Sequence, residues 1–198
     1  MESMAPDIPT KDRIRDAALR LFVERGVAAV SVRDIAAAVG MKPSNLYSHF
    51  PSKDELVREL FTAGYAAYGA RLAEVARGPA PFARRLDAMV RLICRLHDED
   101  TVRFRFLLLA QHAELARLGD GVDTPIAIVQ REVEAAMRAG ELPPGDPALL
   151  TAMLVGIPVQ AATFRLYGRL ARPLCDTADA LAAACLAVLH SAPPGDAP

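Results

Sequence analysis

Apolar residues return at helical spacing along almost all of this chain, and no stretch shows the two-residue alternation of a strand. Ile14, Ala17, Ala18, Leu21 and Phe22 form one stripe, which predicts a helix from Thr10, read as its cap, to about Arg25. Val32, Ile35, Ala36 and Val39 form a second, over about 32–39. Ser31 stands at the N-cap of that helix with Asp34 three residues on, as in a capping box. Gly40 closes it, because glycine takes a left-handed C-terminal conformation without steric cost. Pro43 suits a first helical turn, and Leu46 and Phe50, four apart, anchor a third helix over about 43–50. Ser52 and Glu55 then form a second capping box. It opens a fourth helix running to Ala76, a rod of ~30 Å at 1.5 Å per residue that can touch two cores.

Gly78-Pro79-Ala80-Pro81 breaks the chain. A fifth helix over about 82–98 buries Phe82, Leu86, Met89, Val90, Ile93 and Leu96. Asp98-Glu99-Asp100 turns into a sixth, which contains Phe104 to Leu118, and Gly119-Asp120-Gly121 is a loop. Thr124-Pro125 starts a seventh, ending near Gly140. Asp146 caps an eighth, about 147–170, with Pro147 at its first position. This helix is apolar nearly all round, so it must be covered on more than one side. Pro158 inside it frees the carbonyl of Leu154 and predicts a kink. Asp176 opens an alanine-rich ninth helix, Ala178 to His190.

The pattern is all-α, with about nine helices. It divides into an N-terminal three-helix helix-turn-helix domain, 8–56, and a C-terminal helical domain, 57–192, with flexible tails at 1–7 and 193–198. Two adjacent apolar helices with no clear polar face, the eighth and ninth, suggest a contact between copies and hence a homodimer.

Composition narrows the picture. A 52% hydrophobic content supports a packed core, and the net charge of −1 excludes a globally basic nucleic-acid binder. The charge is uneven: residues 1–53 carry eight basic against six acidic residues, and the remainder is acidic. Cys94, Cys175 and Cys185 are scattered, make no metal or disulfide framework, and read as small hydrophobes in apolar helical runs of a cytoplasmic protein. The polar N-terminus, with Glu2 and Asp7, reads as no signal peptide. No uninterrupted apolar run of ~18 residues predicts a membrane span; the nearest, Ala148 to Phe164, contains Gly156, Pro158 and Gln160.

The third helix leaves Lys42, Ser44, Asn45, Tyr47, Ser48 and His49 facing outward, and no acidic residue occurs from Ile35 to Lys53. A short helix with small polar side chains and no negative charge suits the major groove of double-stranded DNA. Asn pairs bidentately with adenine and Ser with several base edges, while Lys42 and Lys53 can neutralise phosphates. At these residues the chain resembles the TetR family of bacterial transcriptional repressors. The resemblance runs through Ser31, Ile35-Ala36, Val39-Gly40-Met41, Leu46 to Phe50 and Ser52 to Leu56, with Ile14 to Gly26 matching the family's first helix. It covers roughly residues 10–60 and implies a repressor that binds a palindromic operator as a homodimer and is released by a small apolar effector. It further implies phosphate contacts from Tyr47, His49 and Lys53, with Ser31 and Arg33 at the second-helix end of the same backbone contact. Lys42, Pro43, Ser44, Asn45 and Ser48 would line the groove. Lys42 replaces the usual small hydroxyl cap of the reading helix, and Ser48 replaces the common aromatic or His.

The family resemblance also implies an effector cavity among helices four to eight. Gln111, His112, Gln130, Gln160 and Tyr167 are candidate polar anchors, and Phe106, Met153 and Phe164 candidate walls. A Gln inside so apolar a helix as the eighth is costly to bury without a partner, which singles out Gln160. A competing reading is a small-molecule binding protein or enzyme that keeps an unused helix-turn-helix. Its best catalytic candidate, Cys94 and His97 one helical turn apart, lacks an oxyanion donor and an orienting group, and no three- or four-ligand metal set occurs. No cofactor is expected.

Overall fold

A computed structural model describes residues 9–118 and 123–191. Among them every regular element is helical: α1 (Thr10–Arg25), α2 (Val32–Ala38), α3 (Pro43–Tyr47), α4 (Lys53–Ala76), α5 (Phe82–Glu99), α6 (Thr101–Glu114), α7 (Pro125–Arg138), α8 (Pro147–Leu166) and α9 (Ala178–Ser191). Short 3-10 turns follow α6 at Leu115–Arg117 and precede α9 at Cys175–Thr177. The expected tails at 1–7 and 193–198 and the loop at 119–121 lie outside the described residues.

The chain gathers into two compact units. The first takes the described residues of 1–64 and 105–119. Its core is Ile14, Ala18, Leu19 and Phe22 of α1, Ile35 and Ala36 of α2, Leu46 of α3, Phe50, and Leu56, Leu60 and Phe61 of α4. Phe106 of α6 stacks on Phe22 with ring centres 5.9 Å apart, so a segment far along the chain completes this core. Helix α1 begins at Thr10, but Thr10 does not cap it. Pro9 holds that position without a side-chain bond, and its carbonyl accepts from the N–H groups of Asp12 and Arg13. Helix α3 ends at Tyr47, three residues short of the expected end. The N–H groups of His49 and Phe50 both turn back to the Leu46 carbonyl, and Phe50 is buried from outside the helix.

In the second unit, residues 65–104 with the described part of 120–198, α5 packs against α7, α8 and α9. Its buried face is wider than the sequence stripe, taking in Leu92, Cys94 and His97. Arg85 of α5 reaches Glu132 of α7 at 3.0 Å, with both side chains mostly covered. Caps behave as the sequence requires: Thr124 Oγ1 accepts from Ala127 N–H, and Asp146 accepts from Ala148 and Leu149 N–H. Helix α8 stops at Leu166 rather than 170. Gly168 turns the chain at φ +66°, and the N–H groups of Gly168 and Arg169 close on the carbonyls of Arg165 and Phe164.

Pro158 lies inside α8 and denies Leu154 its helical donor. The thiol of Cys185, on α9, lies 3.7 Å from that carbonyl and donates to it. Asp176 does not cap α9; it sits in the 3-10 turn before it. The groups at that turn are held by Asp98 of α5, which accepts from Leu174 N–H and Cys175 N–H and lies 2.8 Å from His97 Nδ1. Burial alone would raise the Asp98 carboxyl, but the bonds from Cys175, His97 and Leu174 outweigh it and bring the pKa down to about 2. Cys175 is exposed, unlike Cys94 and Cys185, so only two of the three cysteines behave as core hydrophobes.

Candidate nucleic-acid interface

Helices α2 and α3 are joined by a turn closed by backbone hydrogen bonds. Ser31 caps α2, accepting from Asp34 N–H while the Asp34 carboxylate accepts from Ser31 N–H at 2.8 Å. The bond from Ser31 holds the Asp34 carboxyl below its ordinary range, and Arg25 stands 3.9 Å away, so this acid is occupied at the edge of the motif. At the far end Gly40 has φ +71°, and the N–H groups of Gly40 and Met41 close on the carbonyls of Ala37 and Ala36. Lys42 then occupies the N-cap of α3 with no side-chain bond, and Pro43 follows at the first helical position. A lysine ammonium has no acceptor to offer a helix N-terminus, so α3 has no side-chain cap, and Asn45 N–H closes instead on the Lys42 carbonyl at 3.0 Å.

From Lys42 to His49 every residue is exposed except Leu46, the inward anchor. Tyr47 is 52% exposed, so its ring is not core packing. Ser44 Oγ lies 3.5 Å from Asn45 Oδ1, and Ser48 Oγ donates to the Asn45 carbonyl at 2.7 Å. Ser48 therefore faces outward as an acceptor only. Ser31 and Arg33 are exposed at the start of α2. With no carboxylate from Ile35 to Lys53, the surface offers an anion nothing to repel it.

Lys53 is placed differently from a free phosphate ligand. Its Nζ donates to the carbonyls of Val27 and Val30, each at 2.9 Å, and so pins the segment entering α2 to the start of α4. One of its three N–H groups is left over. Sequence reasoning missed a second clamp: Glu59 of α4 accepts from Lys11 Nζ and Arg15 Nε, each at 2.9 Å, which locks α1 to α4. Desolvation would raise the Glu59 carboxyl, but these cations lower it. Two of the basic residues of α1 are thereby occupied within the fold.

The eight expected effector residues fare less well. Phe106 is a core residue of the first unit, buried against Phe22, not a cavity wall. His112 is exposed and Gln111 half-buried, and Gln130 donates to Glu134 of its own helix at 3.0 Å. Gln160 is exposed, so the burial that singled it out does not occur. Phe164 and Tyr167 stand out at 47% and 67% exposure. Met153 lies at the rim of an apolar depression of about 100 Å³ with Met137, Leu142 and Leu149. The physical reason is that α8 buries a single side, Leu150, Thr151, Leu154, Pro158 and Ala162, and a helix apolar all round carries no stripe to mark which side that is. By length and composition α8 is long and apolar enough to cross a membrane, and 28% of that stretch is buried. The Cys94–His97 pair, set aside above as a nucleophile, is packed into the core. Burial pushes the Cys94 thiol up to about 11, which suppresses the thiolate a nucleophile needs, and His97 Nδ1 is turned to Asp98.

The model for bacterial regulatory proteins of the tetR family matches residues 14–60, the segment that carries this geometry. The HTH-type transcriptional repressor KstR2 of Mycolicibacterium smegmatis is 40% identical over 62 residues, which are 29% of this chain and 30% of KstR2. That match thus spans less than a third of the relative's length. The HTH-type transcriptional regulator UidR of Escherichia coli is 28% identical over 154 residues, 74% of this chain and 76% of UidR. Among solved structures, a regulatory protein in the tetR family from Rhodococcus RHA1 superposes with a TM-score of 0.76 at 20% identity, over 97% of this chain and 100% of that one. The transcriptional regulator FadR of Bacillus subtilis, in complex with stearoyl-CoA, superposes with a TM-score of 0.71 at 19% identity, over 90% of this chain and 96% of that one. Through residues 14–60, with their capped helix pair and acid-free outer face, the chain carries an N-terminal segment that matches the bacterial regulatory proteins of the tetR family.

Proposed function

We propose that this protein is a ligand-responsive transcriptional repressor that binds a palindromic operator as a homodimer. The observation that carries the proposal is the outer face of α3, exposed from Lys42 to His49 except for Leu46 and free of carboxylates. In this reading the domain at 8–56 binds DNA, and the domain at 57–192 binds the effector and dimerises. Asn45 and Ser44 read base edges, Lys42, Pro43 and Ser48 line the groove, and Tyr47, His49, Ser31 and Arg33 contact the backbone. Lys53 offers phosphate its remaining N–H while holding the motif together. The exposed apolar side of α8, with Leu149, Phe164 and Tyr167, supports dimerisation through α8 and α9. A membrane would also cover such a side, but it would leave the reading helices unpaired. Two copies place two reading helices on half-sites one helical turn apart, ~34–36 Å.

An apolar effector of the acyl class is supported by the stearoyl-CoA complex of FadR. To release DNA it must bind the DNA-incompetent conformation more tightly than the other, since equal affinity shifts nothing. The action is in the cytoplasm, where the operator is. A gel shift on DNA flanking the gene tests the proposal: the wild-type chain binds one palindrome at least ~10³-fold tighter than unrelated duplex, and Asn45→Ala relaxes the preference at one base position. Equal affinity for both duplexes would overturn it.

A further inference from the structure

Four of the residues expected around an effector, Met153, Gln160, Phe164 and Tyr167, share one outward stripe of α8 with Leu149 and Gly156. At about 100° per residue the six fall within roughly 80° of the helix surface. Two features of this stripe are not explained by its own subunit. Gly156 sits inside the helix without a positive φ, and a Cβ built there would meet nothing within 4 Å. Glycine weakens a helix interior relative to alanine and is kept where another group comes close. Gln160, one turn further on, puts an exposed amide in the middle of an apolar helix.

The order of the stripe is nearly the same read from either end. Leu149 and Tyr167 each lie nine residues from Pro158, Gly156 and Gln160 two, and Met153 and Phe164 five and six. Two α8 helices crossing antiparallel level with Pro158 therefore set Leu149 against the partner's Tyr167, and Met153 against the partner's Phe164. At the centre the notch at Gly156 receives Gln160 of the partner subunit, once on each side of the axis. Charge fits the antiparallel sense alone. No charged residue lies between Asp146 and Arg165, so nothing meets its own sign along the contact. At the ends, exposed Asp146 and Arg169, twelve and eleven residues from Pro158, come opposite each other. A parallel pairing would set Asp against Asp and Arg against Arg.

We infer that two copies of this chain lock together by seating Gln160 of each over Gly156 of the other, about a two-fold axis level with Pro158. The inference rests on the homodimer reading above and gives that dimer its register and its choice of partner. The amide lies against bare helix backbone, whose carbonyls keep a second lone pair for it. In a slipped register, or against a chain with a side chain at the notch, the amide would be covered and unmet, which penalises the wrong pairing.

Sedimentation and native mass spectrometry of the full chain test the lock. Gly156→Leu fills the notch and should weaken pairing by about tenfold or more, so that it runs as a single chain where the wild type runs as a dimer. Gln160→Ala clears the opposing side chain. Mixed in equal amounts, the two variants should pair with each other in preference to themselves, because the filled notch then faces the shortened residue. Such rescue cannot come from a variant that has merely misfolded. If Gly156→Leu pairs as tightly as the wild type, or stays single in the mixture, the inference fails. If the wild type is itself single at micromolar concentration, the homodimer reading fails with it. A gel shift separates the remaining cases. A wild-type dimer that selects its operator while Gly156→Leu pairs normally keeps the regulator and removes the lock. Rescue in the mixture with no preference for any duplex keeps the lock and removes the regulator.

Discussion

Asp98 collects the N–H groups of Leu174 and Cys175, 76 and 77 residues further along the chain, and the ring of its neighbour His97. Asp98→Asn should lower stability by about 1.5–3 kcal/mol, the range for hydrogen bonds to a charged group, read from the denaturation midpoint. The pH dependence follows from the sign. Because the folded pKa is depressed to about 2, the stabilisation is complete above the ordinary carboxyl value of about 4 and is lost as pH falls from there towards 2. Wild type and variant should converge at the acid end of that window; a constant gap would mean that charge is not the cause. Gly69 gives a second case. A Cβ there would lie 2.5 Å from the Asp123 carbonyl oxygen, a backbone atom that cannot swing aside. Ala in place of Gly favours a helix by about 1 kcal/mol, but overpacking costs about 1–3 kcal/mol. Gly69→Ala should therefore melt lower, and an unchanged or higher melting temperature refutes the clash. Neither Asp98 nor Gly69 stands out in the sequence, nor does the clamp of Lys11 and Arg15 on Glu59. Partners more than forty residues apart leave no local periodicity to read, whereas Ser31–Asp34 and Asp146 announce themselves within four residues.

Individual helices were legible where a cap or a stripe marked them. The ends of α4, the caps of α2, α7 and α8, and the turn at Gly40 all follow from side-chain chemistry at fixed offsets. The errors at α3 and α8 are errors of stopping. Phe50 looked like a fourth-position anchor but is buried after the chain has left the helix, and Gly168 turns α8 before its apolar run is exhausted. Ser31→Ala should cost about 1 kcal/mol, as loss of an N-cap does, and weaken operator binding through the orientation of α2. Pro158 and Cys185 are a pair of the same kind. With proline present the Leu154 carbonyl depends on the thiol; with Pro158→Ala it regains a helical donor. Cys185→Ala should then be more harmful by about 0.5–1 kcal/mol in the wild type than in the Pro158→Ala background, and a double-mutant cycle measures the difference. Strict additivity would show that the sulfur bond contributes nothing.

At the scale of the molecule the sequence revealed the all-α class and the exposed outer face of α3 but not which side of α8 is buried. The gap has one origin. Helix α8 is apolar on every side, and which side meets its own core is decided by α5, α7 and α9, not by α8. Gln160, Phe164 and Tyr167 consequently face outward. If that face joins two copies, Phe164→Glu should give a monomer by sedimentation and abolish operator binding, with α3 untouched. A dimeric variant that still binds would place the contact elsewhere. The bare flank of α8 also bears on how heat and dilution act on this protein. When folding and pairing share one equilibrium, each chain's persistence is set partly by how many others surround it, so melting should move upward as the sample is concentrated. In a cell holding few copies, the occupancy of the operator would then fall faster than the number of molecules does.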